Sequence, residues 1–343
     1  MTGPKQNVRS QTLEQIKEWT ASRGFDGYRA SQVAGWLYNR PLTEIDNMQN
    51  LPTDLRAALE EDFDARPAKI VTLDTSEDGT RKFLTELADA KVVESVLIPR
   101  EERITLCISS QVGCAMDCDF CATATLGLAR NLEPGEIVSQ VMLARDVAAP
   151  APLTNYVFMG MGEPLANYDR LMRSIDIMTA RWGLGISPRR ITVSTVGLVP
   201  QMKRLARETS VNIALSLSAA RDDLRDQLMP INKKYPLSEV IGACETLEIP
   251  KRKRITIEYV MLDGVNDTDR DVDDLVGLCR RLRVKVNLIP FNTFPGSDFR
   301  CTLDGRIEEF QEALLSHNIH ATVRKSRGQD IQAACGQLAA ASR

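Results

Sequence analysis

Ile104-Thr105-Leu106-Cys107-Ile108-Ser109-Ser110-Gln111-Val112-Gly113-Cys114-Ala115-Met116-Asp117-Cys118-Asp119-Phe120-Cys121 is an apolar, β-branched run that leads into a glycine and three cysteines. Residues 104–109 predict a strand, and the C-x3-C-x2-C spacing of Cys114, Cys118 and Cys121 begins just past its C-terminal end. Parallel α/β folds carry their chemistry at that end of a strand. Three thiolates on one short loop can hold three corners of a metal cluster. A closed zinc site wants four protein ligands, and no fourth Cys or His is nearby. A [4Fe–4S] cluster held by three cysteines leaves one iron open to a ligand. The bland alternative of incidental buried cysteines fits this spacing poorly.

Working outward, residues 156–159, 191–194, 211–217, 255–261, 284–289 and 319–323 also predict strands. Helix-like patterns fill most of the gaps, at 134–147, 168–180, 237–247, 269–282 and 306–315. Strand and helix alternating over this length predict an α/β fold, a parallel sheet or barrel. Upstream, 70–73, 82–87 and 92–98 predict a small antiparallel sheet, with Glu77-Asp78-Gly79 as a turn. Before that the chain reads as helical, and Thr12 with Gln15 forms a capping-box pattern. The expected organisation is a helical accessory module at 1–67, a β extension at 68–99, the α/β core at 100–325 and a tail at 326–343. The tail is small, polar and rich in Ala and Gly, which predicts a loop with a frayed end.

The 343 residues are 43 % hydrophobic with a formal net charge of −3, so no global positive field announces a polyanion partner. No apolar run reaches the ~20 residues of a membrane span, and MTGPKQNVRSQTLEQ has no apolar core for a signal peptide. A cytoplasmic protein with no membrane partner is expected. Eight cysteines in so long a chain without an export signal argue against a disulfide framework. Only His317 and His320 are available, so histidine chemistry is thinly supplied.

C-x3-C-x2-C with Phe120 before the last cysteine resembles the radical S-adenosylmethionine (SAM) superfamily. Further segments narrow this: Cys107–Cys114, Gly160-Met161-Gly162-Glu163-Pro164, Arg189-Arg190-Ile191-Thr192-Val193-Ser194-Thr195, Asn287-Leu288-Ile289-Pro290-Phe291-Asn292 and Ala334-Cys335-Gly336-Gln337-Leu338. Together they resemble the RlmN/Cfr family of RNA adenine methyltransferases, from about Val92 to the C-terminus. The resemblance implies a partial (β/α)6 radical SAM barrel, a [4Fe–4S] cluster on Cys114, Cys118 and Cys121, and two SAM molecules per turnover. It implies SAM contacts at Gly162, Glu163, Ser194, Ser216, Leu217, Ser218 and Asn292. Relatives often carry histidine where this chain has Ser218, which leaves that position a backbone contact.

The resemblance also assigns Cys335 as a methyl carrier that takes its methyl from a first SAM. A second SAM is cleaved to a 5′-deoxyadenosyl radical, which removes hydrogen from the S-methyl group. The carbon radical adds to adenine, and Cys107 then releases the product through a transient disulfide with Cys335. Glu94 or Cys107 takes the ring proton, and sequence does not choose between them. From one sequence alone, Glu94 would read as a solvent-facing charge. The thiolate is the nucleophile, so a depressed pKa is expected at Cys335, with Arg324, Lys325 and Arg327 supplying positive charge. Cys244, Cys279 and Cys301 read as incidental. The details resemble the C2 enzyme more than its C8, resistance-type relative. The implied partners are 23S rRNA, tRNA and an electron donor such as flavodoxin. Local basic runs such as Lys251-Arg252-Lys253-Arg254 and Arg280-Arg281 would form an RNA face on an acidic chain. The rival class is a protein that uses a cluster or zinc for structure or iron sensing.

Overall fold

The computed structural model describes residues 5–250 and 252–339. Lys251 of the basic run and residues 340–343 of the tail lie outside that range.

The N-terminal module is β1 (Gln6–Asn7), α1 (Leu13–Ser22), α2 (Tyr28–Tyr38), α3 (Thr53–Asp62) and β2 (Phe63–Asp64), with β1 and β2 paired in parallel. The capping box forms: Gln15 N–H donates to Thr12 Oγ1 and Thr12 N–H to Gln15 Oε1, satisfying two donors that the first turn leaves open. Ile16, Val33, Leu37, Leu55 and Leu59 make its buried face. The module is anchored to the core, where Gly135 N–H donates to Ser10 Oγ at 2.9 Å and the Tyr38 ring meets Trp182 edge-on at 5.6 Å.

The core is built on β3 (Lys69–Thr75), β4 (Arg81–Glu86), β5 (Val92–Arg100), β6 (Arg103–Cys107), β7 (Gln111–Gly113), β8 (Leu128–Asn131) and α4 (Pro134–Ala148). It continues through β9 (Asn155–Phe158), α5 (Tyr168–Thr179), β10 (Ile191–Thr195), α6 (Val199–Glu208), β11 (Asn212–Ser216), α7 (Asp222–Leu228) and α8 (Leu237–Thr246). It ends with β12 (Ile255–Met261), α9 (Asp269–Cys279), β13 (Val284–Pro290), α10 (Asp304–Ser316) and β14 (Ala321–Val323). One sheet runs β14-β13-β12-β11-β10-β9-β6-β5-β4-β3. It is parallel from β14 to β6 and antiparallel from β6 to β3. The β extension therefore continues the core sheet through the β5–β6 pairing.

The pleat decides which face is hollow. Leu106, Tyr156, Val193, Ile213, Ile257 and Val286 are buried on one face. Thr105, Val157, Thr192, Ala214, Thr256 and Asn287, from six successive parallel strands, line a single cavity on the other. One cavity reached from six neighbouring strands requires a sheet curved into a partial barrel. Its small and polar lining leaves it open, whereas bulky branched residues fill a closed eight-stranded barrel.

Sequence reading missed β7, β8, α6 and α7. Three- and four-residue strands are too short to show a period, and α6 and α7 are short and highly charged. The frayed tail is corrected by the structure: up to Ala339 it is a packed strap. It leaves the β14 edge and crosses to the β3–β4 turn, where Asp78 Oδ2 accepts from Gly328 N–H at 3.0 Å and Ser76 Oγ donates to Asp330 Oδ1 at 2.6 Å. Ala333, Ala334 and Leu338 are buried. The barrel leaves a gap between its edges, and the tail has the small residues to fit there.

Candidate active site

The cysteine loop is pinched between β7 and β8, which pair antiparallel. Gly113 has φ +77°, and a Cβ there would stand 1.8 Å from the Gly127 carbonyl oxygen, so only glycine permits this closure. Cys114 N–H donates to that oxygen at 2.9 Å, and Cys121 N–H to Cys118 O at 3.1 Å. All three cysteines line one chamber. Burial pushes the Cys114 thiol up to about 11 and raises Cys118 and Cys121, and the neighbouring thiols add to the rise at Cys114 and Cys118. Bound metal reverses this by deprotonating a coordinating thiol.

Among the described residues no three Cys, His, Asp or Glu side chains converge as they would around a single metal ion. A cluster asks for something different, since each cysteine binds its own iron and the sulfurs stand further apart. Three thiols facing one chamber therefore fit a [4Fe–4S] group with one iron left for a ligand. Sequence reading missed Arg225, a fully buried guanidinium behind this loop. It donates to Val196 O at 2.7 Å, Asn232 Oδ1 at 2.7 Å and Leu217 O at 3.4 Å, and it is the cation near Cys118. Its signal in sequence, one arginine in a charged helix, is invisible.

The far wall of the chamber comes from the ends of β9 to β13. Gly162 has φ +98°, and a Cβ there would collide with Gln111 at 2.5 Å. Glu163 is buried, which pushes its carboxyl up to about 7. Its oxygens accept from Leu165 N–H and Val196 N–H, each at 3.0 Å, and each keeps further lone-pair capacity. Ser194 Oγ lies 3.3 Å from Ser216 Oγ and donates to Glu258 Oε2 at 2.9 Å. Ser218 has φ +52°, its carbonyl accepts from Asn266 Nδ2, and its buried hydroxyl has no partner. Glu258 was missed too. Burial raises its carboxyl, and its Oε1 also lacks a hydrogen-bond partner. Orphaned buried polar atoms beside the cysteine loop fit a polar ligand such as SAM. Leu217 does not line this chamber; its side chain is in the apolar core.

Cys335 is delivered by the strap. Ala122 N–H donates to Gly336 O at 2.7 Å, and Thr123 Oγ1 to Leu338 O at 2.6 Å, tying the tail to the cysteine loop. Asn292 is occupied by the strap: its Nδ2 donates to Cys335 O at 3.1 Å and its Oδ1 accepts from Gln329 Nε2 at 2.8 Å. Glu94 is buried rather than solvent-facing. It pairs with Lys82 at 3.2 Å and accepts from Ala339 N–H at 2.8 Å, so it clamps the end of the strap, and it lines neither cavity.

Cys107, at the end of β6, and Cys335 line one cavity, and both thiols are free. Burial pushes Cys107 up to about 12. The expected depressed pKa at Cys335 is corrected: burial raises it, and the opposing Arg324 charge does not overcome that. Arg324 is raised, chiefly by Cys335, and stands 4.0 Å from Glu258. Cys244 and Cys279 are buried, and neither they nor the exposed Cys301 lines the chamber.

With this geometry in view, residues 108–276 match the Radical SAM superfamily, and residues 6–64 match the ribosomal RNA large subunit methyltransferase N-terminal domain. A Geobacter sulfurreducens protein named dual-specificity RNA methyltransferase RlmN is 49 % identical over 97 % of this chain and 91 % of its own length. One of the same name from Anaeromyxobacter sp. strain Fw109-5 is 47 % identical over 98 % and 91 %. The crystal structure of a radical SAM methyltransferase from Sphaerobacter thermophilus superposes with a TM-score of 0.93 at 44 % identity, covering 97 % of this chain and 99 % of that one. No described helix is long and apolar enough to cross a membrane.

Proposed function

The chain belongs to the RlmN family of radical SAM methyltransferases, and we propose that it methylates C2 of adenosine in RNA. The substrates are the peptidyl-transferase centre of 23S rRNA and the position beside the tRNA anticodon. The observation that carries this reading is that Cys335 lines both the chamber of Cys114, Cys118 and Cys121 and the neighbouring cavity that Cys107 lines.

C2 of adenine is not nucleophilic, so direct methyl displacement is closed to it. Cys335 Sγ, as thiolate, takes a methyl group from one SAM and releases S-adenosylhomocysteine. When bound, the cluster and a second SAM supply a radical able to take hydrogen from that S-methyl group. Cys335 then holds the carbon that bonds to C2, and the adduct gives up one electron, which the cluster would take back when bound. Of the two candidate bases, Cys107 lines a cavity that Cys335 also lines and Glu94 lines neither, so Cys107 accepts the C2 proton. Cys107 Sγ, as thiolate, attacks Cys335 Sγ, which forms a disulfide and breaks the carbon–sulfur bond; the released carbon keeps the bonding pair, takes up one proton and leaves as the methyl group of the RNA. Ser194, Ser216 and Glu163 supply polar contacts for SAM, and Ser218 and Asn292 complete them. The base must leave its stack to be reached. A low-potential electron donor such as flavodoxin and a cytoplasmic site of action belong to the same reading.

The test is nucleoside mass spectrometry on unmodified rRNA and tRNA, each treated anaerobically with reconstituted protein, SAM and reductant. 2-Methyladenosine is expected, and Cys335→Ala should form none while still cleaving SAM. 8-Methyladenosine would instead assign the resistance-type reaction, and a methylating Cys335→Ala would overturn the carrier role.

A further inference from the structure

Below the cluster chamber is a second cavity of about 490 Å³, large enough to hold a ligand. Met159, Glu258, Ile289, Asn292, Arg324 and Cys335 border both cavities and form the wall between them. Cys107 faces only the lower one.

The lower cavity is polar midway, where Thr105, Thr192, Thr256 and Asn287 line it, and basic beyond. Arg103 is the first residue of β6 and Lys285 the second of β13, so this basic end lies at the N-terminal ends of the strands. Arg100 and Lys325 line it as well. All four side chains are exposed. Glu101 and Glu102 sit in the adjoining turn but do not line the cavity. Of its charged lining residues six are cations and one, Glu258, is acidic, in a chain of net charge −3. Such segregation builds a local field for an anion.

We propose that this lumen is the entry and seat of the target nucleotide. The RNA backbone lies across the basic mouth at the N-terminal ends of the strands, and the extruded adenine reaches up to the lower face of Cys335. Nucleotide and cofactor enter from opposite ends of the barrel. Substrate entry from this end is unusual for α/β barrels, whose sites open at the C-terminal face. A closed barrel packed with branched side chains would forbid it, and this one is hollow. The thiol in the shared wall can meet a methyl donor from above and a base from below. The inference rests on the RNA methyltransferase reading and adds where the RNA enters.

Two variants of the reconstituted holoenzyme test it. Arg103→Glu with Lys285→Glu changes only exposed side chains. Its affinity for unmodified tRNA should fall at least tenfold, and the salt dependence of binding should lose about one unit of slope per cation. Thr105→Phe fills the lumen and leaves the mouth intact. It should bind tRNA like wild type and form neither adduct nor 2-methyladenosine. In both, cluster absorbance and the +14 Da mass shift of S-methylated Cys335 report an intact upper chamber. Wild-type RNA affinity in the double variant, or RNA methylation by Thr105→Phe, overturns the proposal. Loss of the mass shift in step with RNA methylation overturns it too, because the cavities would not be separate. A wild-type protein that cleaves SAM but methylates no RNA removes the underlying reading, a failure visible without either variant.

Discussion

The two cavities share one curved sheet and one wall yet differ in charge. The cluster chamber is lined by four cysteines, three serines and two buried carboxylates, Glu163 and Glu258, with Arg324 as its one cation. The lumen has the same Glu258 and Arg324 in its upper wall and five further cations. SAM carries a sulfonium and an ammonium; RNA carries phosphates. Each chamber has the sign that its guest needs, and the two meet at Cys335. Alternation along a strand makes this possible. Thr192 and Ser194 on β10, or Thr256 and Glu258 on β12, point to the same face at different heights.

The contrast can be broken most severely at the cluster. Cys118→Ala removes one of three thiolates, and we expect the brown colour and 5′-deoxyadenosine release to vanish together. A colourless but active variant would refute the metal loop. Next in size is Cys107→Ala, on the lumen side alone. SAM cleavage should persist, while turnover stops at a protein–RNA adduct seen as a retarded band on a denaturing gel; free product at the normal rate would remove its resolving role.

Arg324→Gln probes the wall. Burial holds the Cys335 thiol above the usual 9.0, and Arg324 opposes this. S-methylation of Cys335 in wild type should therefore still be climbing at pH 9. Without the cation, less thiolate exists at any given pH, so the profile should move to higher pH. An unmoved profile, read by intact mass against pH, would show that Arg324 does not act on the thiol. The smallest effect is at the strap. Asp78→Ala removes the acceptor for Gly328 N–H, a loss of about 1 kcal/mol. Amide exchange over residues 328–338 should quicken by roughly fivefold, with cluster content unchanged. Unaltered exchange would mean the strap is held elsewhere.

Much of this was legible beforehand because its signals are local. Residues 255–261 are a strand in sequence and in structure, since six of the seven are apolar or β-branched and state their own preference. The spacing of Cys114, Cys118 and Cys121 announced a metal loop for the same reason. Glu94 was illegible: nothing in Val93-Glu94-Ser95 tells a solvated charge from a buried one that pairs with Lys82 and caps the strap at Ala339. Glu258 sits in a strand pattern where a polar residue looks like an outward one. Arg225 gains its meaning only from carbonyls 8 and 29 residues away.

The chain by itself determined its strands, most of its helices, the cysteine loop and the family to which it belongs, because periodicity, spacing and motif order are properties of neighbours along the backbone. Tertiary structure alone decided that the tail is a strap, that Cys335 shares a wall with Arg324 and Glu258 and a cavity with Cys107, and that a basic lumen lies beneath the cofactor chamber. Those facts depend on sheet curvature and on burial. Both arise only when strands far apart in sequence close around one space and water is excluded from their charges.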